Sequence, residues 1–142
     1  MTKKRAVPIV FFGLTFSFLT ILISFFFPIL RQLIQGVPFI AILVLIFFLG
    51  SSLIFLVLKQ KIKGPLRKFL LLTGIGAVGF FGAAILHNLF YGLGVLVDNI
   101  PVLAFLAGFL EVVFFTISVP ISPVIFLIGL VGSLIIFFKR KV

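Results

Sequence analysis

Apolar residues fill this chain in long blocks, and polar positions interrupt them at only a few places. The first block covers about residues 7–30 and gives way to a short polar turn at Arg31, Gln32, Gln35 and Gly36. The second covers about residues 37–58, with Pro38 at a helix-start position. A basic loop over residues 59–68 follows, whose Gly64-Pro65 step predicts a break in any helix. The third covers about residues 69–97 and ends at the turn signal Asp98-Asn99 with Pro101 beyond. A hydrocarbon layer of about 30 Å is crossed by about 20 apolar residues in a helix, so each block is long enough to span a bilayer. The third is longer than needed and must tilt or extend into the interface.

The last apolar stretch, residues 102–138, is too long for one span and too short for two with a loop. Counting back from the basic end at Lys139 predicts a final span over about residues 114–138. Residues 102–113 are then a separate short segment lying on, or dipping into, the outer leaflet. A single long bent helix is the alternative. In either case Pro120 and Pro123 fall inside the span and predict a kink.

Composition turns these blocks into a fold class. The chain of 142 residues is 63% hydrophobic and only 10% charged, and its mean hydropathy is +1.52. A soluble protein of this size cannot hide that much apolar surface. The expectation is an all-α membrane protein, a bundle of four transmembrane helices forming a single domain. The run from Ala6 to Leu30 is too long for a signal-peptide core and is followed by no small-x-small cleavage site, so it reads as a retained first span.

The charges orient the bundle. The 12 Lys and Arg residues fall almost entirely at Lys3-Lys4-Arg5, between Lys59 and Lys68, and at Lys139-Arg140-Lys141. With four spans these clusters share one side, while Arg31, Asp98 and Glu111 lie on the other. The basic side is cytoplasmic, which puts both termini in the cytoplasm. A formal charge of +10 would suggest nucleic acid in a soluble protein. Here no aromatic residues interleave with the basic ones, so anionic lipid headgroups on the cytoplasmic side are the expected counter-charge, and nucleic acid is not an expected partner. The chain has no Cys and one His. Disulfides and thiolate metal sites are excluded, and no metal or cofactor is expected. The Phe-, Ile- and Lys-rich usage suggests a prokaryotic plasma membrane.

Candidate chemistry is sparse. His87 and Tyr91 share a helix face with Asn88 beside them. His87 stands about 28 Å along the helix from Lys68, near the outer hydrocarbon boundary. Glu111 is expected at a similar level, where a His87–Glu111 contact would satisfy two costly groups. His87, Asn88, Tyr91 and Glu111 are therefore the candidate ligand-binding residues, against the simpler reading of an interfacial polar belt. Gly76, Gly79 and Ala83 form a small-residue face on the third span, and Gly129 and Ser133 repeat the spacing on the last. These five predict close helix packing. The Ser and Thr residues within the spans are expected to bond their own helix carbonyls. A faint internal repeat relates Pro38 and Gly50 to Pro120 and Gly132 at equal intervals.

No zinc spacing, phosphate loop or nucleophile elbow is present, so no catalytic residue is assigned. The leading expectation is a non-enzymatic accessory or scaffold subunit working through helix contacts, in a homo-oligomer or a larger membrane complex. A small oligomeric transporter or channel with a polar site near the outer leaflet is the second. An outer-leaflet lipid-binding protein or membrane enzyme is the third.

Overall fold

The structure is a computed structural model that describes residues 6–27 and 39–139. It is all-helical. Helix α1 (Ala6–Phe26) is followed by α2 (Phe39–Lys59), α3 (Pro65–Leu96) and α4 (Pro101–Thr116). A π-helical turn (Ile117–Ile121) then leads into α5 (Ser122–Lys139). Residues 39–59 and 65–96, and the continuous run 101–139, contain three helices long and apolar enough to cross a membrane, and α1 is apolar over Ala6–Ile21. The expected polar turn at Arg31, Gln32, Gln35 and Gly36, together with Pro28 and Pro38, lies outside the described residues.

Helix α3 starts earlier than the sequence pattern suggests, at Pro65 rather than at Phe69. Proline has no amide to lose at the first helical position and its fixed φ suits a helix start. Gly64, at φ 78, sets the chain direction just before it. The gain is packing: Leu66 and Leu70 are buried in the first turns of α3. The Gly64-Pro65 step thus ends the loop and begins the helix.

The last stretch is one helix. Residues 101–139 form a continuous helical run of 39 residues, in place of a separate segment over 102–113 and a fresh span from 114. The reason lies at Pro120, which sits inside the π turn. There the Ser122 amide donates to the Ile117 carbonyl, five residues back, so the wider turn accommodates the residue that cannot donate. Pro123 follows in the first turn of α5. The two prolines therefore mark a change of helical geometry and not an end.

Helix α3 is the centre of the molecule. It packs against α2 on one side and against α4, the π turn and α5 on the other. The second contact is antiparallel and keeps one register over its whole length. Phe69 faces Gly132, Thr73 faces Gly129, Gly76 faces Phe126, Gly79 faces Ser122, and Gly94 faces Ala107. Helix α1 closes the bundle against α2, and its Phe11 and Phe18 rings meet Phe137 and Phe126 of α5 at centroid distances of 5.4 and 4.1 Å. Phe11, Leu14, Leu53, Leu70 and Phe126 form the buried centre. All of them belong to the half of the molecule that includes the α2–α3 loop.

Gly50 and Gly132, matched by the faint repeat, hold unlike positions. Gly50 of α2 meets α3 of the following hairpin, whereas Gly132 of α5 meets α3 within its own hairpin.

Candidate functional site

The α3–α4 hairpin brings the sparse polar chemistry together. His87 lies late in α3 and Glu111 late in α4, and the antiparallel register sets them at one level. The His87 Nδ1 is 3.3 Å from the Glu111 backbone carbonyl oxygen and 3.9 Å from Glu111 Oε1. With its proton on Nδ1 the ring donates to the carbonyl, while the carboxylate stands too far off for a hydrogen bond. Both side chains are a little over a quarter exposed. The His87 ring also packs on Phe115 at 5.4 Å, and next to it Phe90 and Phe114 stack nearly parallel at 5.5 Å. The pair is a polar clasp between two helices, bracketed by rings.

Asn88 and Tyr91 stand apart from that contact. Asn88 donates to the Ala84 carbonyl of its own helix at 2.8 Å and is exposed. Tyr91 is 59% exposed. Of the four candidate ligand-binding residues, the fold joins His87 to Glu111 and leaves the other two on the outer surface.

The packing residues sit at the closest approaches. A β-carbon on Gly76 would lie 2.5 Å from the Phe126 backbone nitrogen, and one on Gly129 would collide with the Thr73 backbone. Gly79 faces the Ser122 hydroxyl, and Ala83 is buried. Ser133 is fully buried, with a hydroxyl that has no hydrogen-bond partner. Without a hydrophobic drive between helices in lipid, such backbone-to-backbone approach is what holds them, through dispersion. A second seam escaped the sequence reading. A β-carbon on Gly50 would sit 2.9 Å from Ala77 Cβ and 3.1 Å from the Gly74 carbonyl oxygen. Gly74 and Gly76 are about 200° apart around α3, so the glycines of this helix serve two opposite neighbours.

Five hydroxyls in the helices are used locally. Thr15, Ser17, Thr20, Thr73 and Thr116 each donate to the carbonyl four residues earlier. Ser118 differs: from inside the π turn it reaches across to donate to the Phe80 carbonyl of α3 at 2.9 Å. The wider turn therefore also provides an interhelical bond.

At the opposite end from Glu111, the turn between α2 and α3 collects Lys59, Lys61, Lys63, Arg67 and Lys68, with Lys59 Nζ lying 5.2 Å over the Phe55 ring. A cavity of about 710 Å³ opens there, lined by Lys63, Gly64, Pro65, Arg67, Lys68 and Leu71.

Compared with known proteins, the chain matches no protein-family model, no curated protein and no solved structure. Its function is to be argued from its own geometry.

Proposed function

We propose that this chain is a small polytopic integral membrane protein with four spans, acting as a non-enzymatic accessory or scaffold subunit that holds partner helices by packing. Its termini and the α2–α3 loop face the cytoplasm of a prokaryotic plasma membrane. The gathering of Lys59, Lys61, Lys63, Arg67, Lys68 and Lys139 at one end, with Asp98 and Glu111 toward the other, supports that orientation.

The observation that carries the scaffold reading is a mismatch of lengths. The 21 described residues of α2 measure about 31 Å, enough to cross a hydrocarbon layer of about 30 Å. Helix α3, with 32 residues, is about 48 Å long, and the run opposite it is longer still. By the Gly50–Ala77 register, the described part of α2 reaches the level of roughly residue 88 of α3. Beyond that level the α3–α4 hairpin continues as an arm that stays apolar on its outside, with Leu96, Val102, Phe105 and Phe109 exposed. Among the described residues, α4 packs on α3 and the π turn. An apolar arm that outruns the bilayer needs cover, and helices of a partner or of further copies provide it.

A photoreactive side chain placed singly at Leu96 and at Phe105 tests this in native membranes. The scaffold reading expects both probes to give the same protein adduct by mass spectrometry, with Phe16 on α1, 74% exposed, giving lipid adducts. Lipid adducts alone from the arm would contradict it.

The His87–Glu111 contact favours a second reading, in which an oligomer uses this pair as a polar ligand or proton site near the outer leaflet. That reading expects His87→Ala and Glu111→Gln to abolish binding or transport in proteoliposomes while leaving the bundle folded.

A further inference from the structure

We propose that the cavity at the start of α3 binds the phosphate of an anionic phospholipid, with Lys63, Arg67 and Lys68 as its ligands. The inference rests on the membrane reading above and adds a specific lipid site to it.

Three cationic side chains surround one cavity of about 710 Å³, and its remaining lining is Gly64, Pro65 and Leu71. The entire chain holds only two acidic side chains, Asp98 and Glu111. Asp98 stands roughly 45 Å from Arg67 along α3, and Glu111 is level with His87, roughly 30 Å from it. No side-chain carboxylate can therefore neutralise this cluster, and the three cations are exposed. Arg67 offers a planar fork suited to two phosphate oxygens, while Lys63 and Lys68 add point charge. The helix start adds its dipole but few free amides, because Pro65 has none and the Arg67 amide is used on the Gly64 carbonyl. The side chains must do the binding.

The apolar lining identifies the source of the phosphate. Pro65, Leu71 and the methylene stems of the cations give a wall that inorganic phosphate cannot use, but which the glycerol and first methylenes of a lipid can cover. The cavity lies where the apolar run of α3 begins, next to the end of α2 at Lys59, which is headgroup level for a bundle of these lengths.

The test uses the full chain in nanodiscs of zwitterionic lipid doped with phosphatidylglycerol, with native mass spectrometry counting the anionic lipid retained after transfer to detergent. The site expects retained phosphatidylglycerol in the wild type and roughly a tenfold loss in Arg67→Gln/Lys68→Gln. Lys59→Gln/Lys61→Gln, which removes the same charge from described residues that do not line the cavity, should change retention less than twofold, and Arg67→Lys should fall between. Equal retention in the Arg67→Gln/Lys68→Gln variant, or equal loss in the Lys59→Gln/Lys61→Gln control, overturns the site. Displacement of the lipid by millimolar inorganic phosphate overturns the choice of ligand. A chain that enters nanodiscs without any lipid preference refutes this site alone, whereas one that stays out of the bilayer refutes the membrane reading itself.

Discussion

Gly76 of α3 lies directly on the backbone of Phe126 in α5, so near that a β-carbon added to it would stand 2.5 Å from the Phe126 nitrogen and 2.7 Å from its α-carbon. Backbone cannot swing aside as the tip of a side chain can. The helices must part to admit even a methyl group, and the loss of contact spreads to Gly79–Ser122 and Thr73–Gly129 on either side. Gly76→Ala is therefore expected to destabilise the bundle by about 1–3 kcal/mol, and Gly76→Leu by more. Gly82 has open space around its α-carbon. Gly82→Ala should be neutral or stabilise by up to about 1 kcal/mol, through helix propensity alone. Unfolding in mixed micelles of increasing denaturing-detergent fraction measures both.

The Ser118 hydroxyl links the π turn to the Phe80 carbonyl. Ser118→Ala keeps the small volume and removes the donor. The expected cost is about 0.5–1.5 kcal/mol, because the abandoned carbonyl still has its own helix to bond. Thr20→Ala, which removes an exposed bond within one helix, is expected to cost less in the same assay.

A π turn is one residue more than an α-helix needs. Deleting Pro120, which is exposed within that turn, removes both the surplus residue and the missing amide donor. The halves on either side keep their faces toward α3, so the variant should fold with a stability change of no more than about 1 kcal/mol, the regained backbone bond offsetting the Ser118–Phe80 bond that the wider turn provides. Inserting an Ala after Val119 adds about 100° of rotation, turns Phe126 and Gly129 away from α3, and should prevent folding. Circular dichroism and detergent unfolding distinguish the two outcomes.

The clasp of His87 on Glu111 joins side chains that each keep more than a quarter of their surface open. Its Nδ1–Oε1 separation is 3.9 Å. A double-mutant cycle with His87→Ala and Glu111→Gln is expected to give a coupling of about 1 kcal/mol or less. A much larger coupling would mean that the pair is drier and tighter than this geometry, and would strengthen the reading of a polar site.

Much of this architecture was legible in the sequence because the bilayer imposes simple rules. Length and apolarity marked the helices, and Asp98-Asn99 with Pro101 marked the turn between α3 and α4. Gly76 and Gly79 were recognisable as a packing face because small residues at helical spacing have few other uses in lipid. The continuity of residues 101–139 was legible only as the alternative of one long bent helix, since a kink at Pro120 and Pro123 is expected whether or not a separate segment precedes it. The Gly50–Gly74 seam was hidden. Helix α3 is apolar on every side, so no periodicity says which glycine meets which neighbour. The His87–Glu111 contact was legible from helix rise alone, whereas the adjacency of Asn88 and Tyr91 in sequence did not bring them into it.

The pairing of α3 with the last helix over its full length is the central structural claim, and one disulfide tests it. A β-carbon on Gly94 would lie 3.7 Å from Ala107 Cβ, within the range a disulfide requires. The chain has no cysteine of its own, so Gly94→Cys/Ala107→Cys gives an uncluttered readout. Mild oxidation in membranes should join the pair rapidly within one chain, while Gly92→Cys/Ala107→Cys should remain reduced, because nothing lies within 4 Å of a β-carbon on Gly92. If the Gly94–Ala107 pair stays reduced in folded protein, residues 101–116 lie away from α3, and the continuous antiparallel hairpin is wrong.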